Sequence, residues 1–444
     1  MSLRFHETLD VLVAAAARYQ VPLDRQTVIV RDGAGRLILA RERIDNSKEL
    51  EGELRRALGG YAGSVVLVRG PAVTKLLQDP SVVEAEVLVD GDAQIVSYAD
   101  RRIVGVDWVR QPSTLRRSPY RLVFGSLKGG VGRSTALAVV AAEAARRGLR
   151  VLTVDLDLEA PGIGSMLLPR GSDWSTDRMP RYGAVDYLLE NNLDGIDDEE
   201  LIDFVGISPF QDGFISVIPA AGRETEDRPQ SMIAKLSRAL IEDRQDGRVL
   251  SLSDQIDAMI VRFCDQQDYD LVLIDARAGM AEISAAPLLG LGAHVLLFGT
   301  DQPQTYTGYS YILAHLSSMS DFSQLTEEKD WRRRVSFVQS KAPSAADKRA
   351  IFRERIYELC VRYLYEGERL SPDGTVSIES FNFSPSSEGA DVPHDALHIS
   401  YAPDYDVFDP GKDRTQLDRE VYSGPFSAFL RSVFEVIDHE GDVR

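Results

Sequence analysis

Cysteine is nearly missing from this chain: Cys264 and Cys360 are the only two among 444 residues, and no Cys-x-x-Cys pair occurs. That excludes an iron–sulfur cluster or zinc site built from one chain's cysteines, and it suits a reducing compartment. Histidine is scarce as well, six in all, without the spacing of a metal site. No apolar run approaches the ~20 residues of a membrane span. The first residues lack the basic-then-apolar order of a secretion signal. The early apolar stretch 11–17 belongs to an amphipathic helical pattern. The expectation is a soluble, cytoplasmic protein.

Positive charge is also in short supply. The chain carries 50 basic and 69 acidic residues, a net charge of −19. The imbalance is local: residues 1–118 hold 17 basic and 16 acidic side chains, whereas the remainder holds 33 and 53. A segment with net charge −20 is repelled at long range by nucleic acid and anionic membranes, so neither is expected as a direct partner. The run Arg332-Arg333-Arg334 directly precedes a strand-like stretch and reads as a solvated strand entry.

What the chain does have is one glycine-rich stretch, Leu127-Lys128-Gly129-Gly130-Val131-Gly132-Arg133-Ser134-Thr135. It follows the apolar run Leu122-Val123-Phe124 and opens an alanine-rich helical run to Arg146. Strand, glycine loop and helix is the context in which backbone N–H groups and a helix N-terminus converge on a polyphosphate. Ser134 stands where a P-loop hydroxyl would hold Mg²⁺. The usual order is Gly-x-x-x-x-Gly-Lys-Ser/Thr; here Leu127 occupies the first glycine position and Arg133 the lysine position. Arginine is longer, planar and always charged, and it meets phosphate as a fork, not as a point charge. Binding therefore survives this departure more securely than fast hydrolysis does.

Two further strand-like runs end in carboxylates. Val151-Leu152-Thr153-Val154-Asp155-Leu156-Asp157 is one; Tyr269-Asp270-Leu271-Val272-Leu273-Ile274-Asp275, followed by Ala276-Arg277-Ala278-Gly279, is the other. Carboxylates at the C-terminal ends of buried strands beside a phosphate loop can orient a metal-bound water or an attacking water. The loop and these runs, in this order, resemble the deviant Walker A ATPases of the MinD/ParA class, in particular those with Lys-Gly-Gly-Val-Gly-Arg. The resemblance covers about residues 119–340 and does not reach residues 1–118.

The resemblance implies ATP and Mg²⁺ as ligands, with residues 128–135 (Lys128, Gly129, Gly130, Val131, Gly132, Arg133, Ser134 and Thr135) around the phosphates. Lys128 would reach across a nucleotide-sandwich dimer. Ser134, Asp155 and Asp275 would serve the metal, and Asp157 would position the hydrolytic water. Gly279 would offer its N–H to the γ-phosphate. Gln339, ending the strand Ser336–Val338, is the candidate adenine contact. Lys128, Arg133 and Asp157 are accordingly the expected catalytic set.

Alternation of strand-like and helix-like segments through the rest predicts an α/β fold with a doubly wound, mostly parallel sheet. Strands are expected near 121–126, 150–155, 214–218, 271–275, 293–299 and 334–339. The expected organisation is a small N-terminal α+β domain over 1–110, a linker at 111–119, and the P-loop domain over 120–444. That last domain contains an insertion at about 163–268 and a loop-rich C-terminal part. In the N-terminal domain, a helix from Leu3 to Tyr19 with Phe5, Leu9, Leu12 and Val13 on one face is followed by two hairpin signals, at 32–35 and 90–92, and a last strand-like run near Trp108. Residues 375–415 carry no legible periodicity. The C-terminal helix Pro425–Ile437 has an apolar face but no basic one, so it is expected to pack on the sheet and not to lie on lipid.

The function expected is an ATP-binding, slowly hydrolysing molecular switch that dimerises around nucleotide and regulates a partner protein in a bacterial system. The alternative is a non-hydrolysing nucleotide sensor or scaffold.

Overall fold

A computed structural model of the chain describes residues 3–79, 82–89, 92–101, 106–169, 177–193, 195–211, 214–245, 248–320, 322, 326, 329–366, 381–389 and 391–441. The chain divides into two units, Met1–Val109 and Arg110–Arg444.

The first unit is built on a five-stranded mixed sheet of order β3-β2-β1-β5-β4. Its strands are β1 (Val28–Arg31), β2 (Leu37–Ala40), β3 (Ala62–Val68), β4 (Val82–Val89) and β5 (Asp92–Asp100). Side chains alternate across the sheet, as a period of two requires. Ile29, Leu37 and Leu39 meet α1 (Thr8–Arg18) and α2 (Ser47–Leu58) through Leu12, Val13, Leu50 and Leu54, while Val28, Val30 and Ala40 meet Val73 of α3 (Ala72–Leu77). Phe5, expected on the face of α1, lies instead in a preceding 3₁₀ turn, half exposed, with the Arg31 guanidinium 4.1 Å from its ring centre. Val106–Val109, around Trp108, is a 3₁₀ turn, and residues 102–105 of the strand-like run expected there lie outside the described residues. The tip of the second expected hairpin, 90–91, lies outside the described residues.

The second unit carries an eight-stranded sheet of order β15-β14-β13-β6-β12-β7-β9-β8. The strands are β6 (Tyr120–Ser126), β7 (Val151–Asp155), β8 (Gly206–Ile207), β9 (Ile215–Ile218), β12 (Leu271–Asp275), β13 (His294–Gly299), β14 (Val335–Ala342) and β15 (Leu397–Ser400); β10 (Asp243–Gln245) and β11 (Arg248–Leu250) form a separate hairpin. Every pairing is parallel except that of β8 with β9. Strands covered on both faces read as unbroken apolar runs, which is why β6, β7, β12 and β13 are buried along their whole length. The helices are α4 (Arg133–Arg146), α5 (Ile163–Leu167), α6 (Ala184–Glu190), α7 (Arg223–Asp227), α8 (Met232–Ala239), α9 (Leu252–Gln266), α10 (Glu282–Ala285), α11 (Pro303–Met319), α12 (Ala346–Tyr363) and α13 (Arg419–Glu440).

The alanine-rich sequence of α4 combines high helix propensity with side chains small enough to pack closely under the sheet. Its core neighbours include Phe426, Phe429, Leu430, Val433, Phe434 and Ile437 of α13, so the C-terminal helix packs on the sheet as expected. Tyr422 of α13 donates its hydroxyl to Glu143 of α4 at 2.7 Å. Among the described residues, no helix is long and apolar enough to cross a membrane. The stretch 111–119 runs along the second unit's own elements: the Ser113 N–H donates to the Leu289 carbonyl and the Arg116 N–H to the Gly292 carbonyl, both at 2.8 Å. Residues 375–415, without periodicity in sequence, supply the edge strand β15 from their described part.

Candidate functional site

Chain order and spatial order part company around β6: β7 lies on one side of it beyond β12, and β13 lies on the other. Open parallel sheets place ligands outside the carboxyl ends of strands at such a reversal. The glycine loop leaves β6 at that point. Gly130 and Gly132 hold φ of +74° and +78°, which side chains rarely adopt, and the backbone thereby turns into the start of α4. No side chain caps α4 at Gly132, so the first-turn N–H groups have no partner within the helix. Lys128, Gly129 and Gly130 are exposed at the mouth of the loop. The Lys128 Nζ donates to Gln302 Oε1 at 3.0 Å.

Arg133 does not point outward. It is 7% exposed, and its Nε donates to Asp275 Oδ1 at 2.5 Å, its Nη2 to Asp157 Oδ2 at 2.7 Å and its Nη1 to Ser126 Oγ at 3.2 Å. Ser134 Oγ donates to the other Asp275 oxygen at 2.5 Å. Burial works against the Arg133 charge, but Asp275 and Asp157 more than offset it and hold the guanidinium protonated. Asp155 is fully buried, and its carboxylate accepts the backbone N–H groups of Asp157, Gly162 and Ile163 at 3.1 Å each. Burial, with the charge of Asp275 beside it, pushes the Asp155 carboxyl up to about 8. Burial raises Asp275 too, against the pull of Arg133.

The structure thus brings Arg133, Ser134, Asp157 and Asp275 into one bonded group, with Asp155 electrostatically coupled to it. The Gly279 N–H, expected to face a γ-phosphate, donates to the Ser126 carbonyl at 2.8 Å. Arg277 pairs with Glu159, tying the segment after β12 to the segment after β7.

A shallow, solvent-open cleft lies beside the loop, with about 40 Å³ of cavity volume. Val131, Gly132 and Thr135 form one wall; Ser340, Lys341, Tyr401, Ala402 and Phe426 are among the others. The Ser340 hydroxyl is buried and has no hydrogen-bond partner among the described residues. Lys341 has a left-handed φ of +50° at the point where the β14–β15 register shifts, and its Nζ lies 3.3 Å from Asp406. Tyr401 donates to Asp406 at 2.7 Å. Gln339 is buried within the sheet, in register with Gly299 and His398, and the lining passes to the next two residues in its place. The register shift between Gln339 and Ala342, where β14 pairs with β15, turns Ser340 and Lys341 to the cleft.

The implied Mg²⁺ requires hard oxygen donors, and Ser134, Asp155 and Asp275 are of that kind. Yet both Asp275 oxygens accept from Arg133 and Ser134, and Asp155 is held by three backbone N–H groups. Among the described residues no group of three or more His, Cys, Asp or Glu side chains is arranged to hold a metal ion. As folded, this donor set does not fit a divalent cation.

No protein-family model matches the sequence, and no curated protein matches it. Among solved structures the chain is similar to a Borrelia burgdorferi B31 protein described as a plasmid partition protein and determined with AMPPNP bound. Identity is 14%, the match covers 71% of this chain and 99% of that one, and the TM-score is 0.42. It is also similar to the cell division ATPase MinD of Pyrococcus furiosus, with 16% identity, 72% and 99% coverage and a TM-score of 0.40. Cyanothece McdA in its ATP complex gives 14% identity, 72% and 95% coverage and a TM-score of 0.40. These are distant likenesses. What makes the second unit a doubly wound fold with a phosphate-type loop is its own strand order and the αL glycines that lead into α4.

Proposed function

We propose that the chain is an ATP-binding switch, with the triphosphate on the loop 127–135 and the base in the cleft between that loop and the ends of β14 and β15. The observation that carries this reading is the geometry of the loop: two αL glycines leading into an uncapped helix N-terminus at the topological reversal of a parallel sheet. The buried, unpartnered Ser340 hydroxyl supports the base end, since a purine edge supplies the hydrogen-bonding group it otherwise lacks.

Lys128 is exposed and held by one hydrogen bond to Gln302, and so is free to reach the phosphates of a second copy. In the proposed cycle ATP bridges two protomers, the Arg277–Glu159 clasp reports nucleotide state to a partner protein, and slow hydrolysis resets the dimer. Asp157 positions the attacking water through Oδ1, while its Oδ2 stays on Arg133. An acidic unit of this kind acts in the cytoplasm on a protein partner more readily than on nucleic acid or lipid.

The same Arg133 geometry favours a second reading, a nucleotide sensor without turnover. Asp157 and Asp275, the carboxylates that hydrolysis would employ, are both committed to the guanidinium.

Light scattering after gel filtration, in ATP and in ADP, tests the switch. A dimer formed only with ATP, and lost in Lys128→Ala while monomer binding persists, is expected. The same mass in both nucleotides would contradict the switch and leave the sensor.

A further inference from the structure

Resting on the nucleotide-binding reading, we propose that Arg133 is the resident cation of this site, so that nucleotide binds without need of a divalent metal ion. The guanidinium spans two carboxylates at different strands' ends, Asp275 closing β12 and Asp157 just beyond β7, and takes Ser126 Oγ with a third nitrogen. Ser134, the residue best placed for a metal ion, spends its hydroxyl on the remaining Asp275 oxygen. A divalent ion entering here must break both Asp275 bonds and sit beside a buried positive charge.

Moving the guanidinium out instead strands two buried carboxylates next to a third, Asp155, and uncompensated buried charges are strongly unfavourable. Arginine differs from lysine in this respect. A single ammonium leaves one carboxylate for a phosphate without much rearrangement, whereas a planar fork bound at three points stays where its partners are. With Arg133 fixed, the phosphates are met by the loop amides and the N-terminus of α4, neither of which requires a metal ion.

The test is the affinity of the full chain for ribose-labelled fluorescent ATP, in Mg²⁺ and in EDTA. The two affinities agree within about threefold for the natural sequence, whereas Arg133→Lys loses about tenfold or more on chelation. A loss of about tenfold or more in EDTA for the natural sequence would overturn the proposal. The comparison on the natural sequence involves no substitution, so it decides the matter even where Arg133→Lys fails to fold. Absence of binding in both buffers removes the nucleotide reading itself, and with it this inference.

Discussion

At the loop end of the proposed site, Arg133, Asp157, Asp275, Ser126 and Ser134 satisfy one another through bonds of 2.5–3.2 Å. At the other end, beside β14 and β15, the Ser340 hydroxyl is buried without a partner among the described residues, and the lining is gathered from α4, β14, β15, α13 and the segments between them. The first end is built from charges that neutralise each other inside the fold and leave the backbone N–H groups for the ligand. The second is built from shape and one unmet hydrogen bond. Affinity for phosphate should therefore survive changes to the cleft, whereas removal of the charge at the loop should cost the fold much of its stability.

The largest effect expected is that of Arg133→Ala. It leaves Asp157 and Asp275 unpaired in the interior, a change worth about 3–5 kcal/mol of folding stability, measurable by chemical denaturation. A loss below about 1 kcal/mol would mean that the carboxylates are protonated or solvated once the arginine is gone.

Next comes Glu143, which joins the two ends because α4 carries the loop and α13 carries Phe426 of the cleft. Burial opposes its charge, but Arg146, Tyr422 and Arg147 outweigh burial and bring the carboxyl down from 4.5 to about 2. Since the folded value lies below the unfolded one, its stabilisation is present above about 4.5 and is lost as pH falls towards 2. Glu143→Gln should remove about 2–3 kcal/mol at neutral pH and flatten the acid side of the stability profile over that window. An unchanged acid limb would show that the acid sensitivity lies elsewhere.

A bulky substitution at the cleft, Ala402→Trp, separates the two ends directly. ATP affinity should fall about tenfold while affinity for inorganic tripolyphosphate stays constant. Equal losses for both ligands would place the base elsewhere. The smallest effect is that of Ser340→Ala, which removes a buried hydroxyl with no partner and so leaves stability within about 0.5 kcal/mol. A loss above about 2 kcal/mol would mean that this hydroxyl is satisfied in the folded chain.

The loop end was legible in the sequence because its elements are local. A strand, an αL-glycine turn and a helix lie within 27 consecutive residues, β6 through α4, and the two carboxylates end runs that read as buried strands without any knowledge of their neighbours. The expected strands near 121–126, 150–155, 214–218, 271–275, 293–299 and 334–339 all appear, since continuous apolar runs reveal doubly covered strands. What stayed hidden depends on distant partners. The direction of Arg133 is set by two carboxylates 24 and 142 residues away. The cleft is set by the pairing of β15 with β14, and β15 lies in a stretch with no periodicity of its own. Gly279 shows the same limit, for its N–H is taken by Ser126, a residue no motif singled out. In the N-terminal unit, the helix register failed at Phe5 because a 3₁₀ turn precedes α1.

Amide hydrogen exchange with and without ATP tests most directly whether one nucleotide lies across both ends. Residues 127–135 and residues 399–406 should gain protection together, at the same ATP concentration. Protection confined to the loop would contradict the base assignment, and exchange unchanged at the loop would contradict the account as a whole.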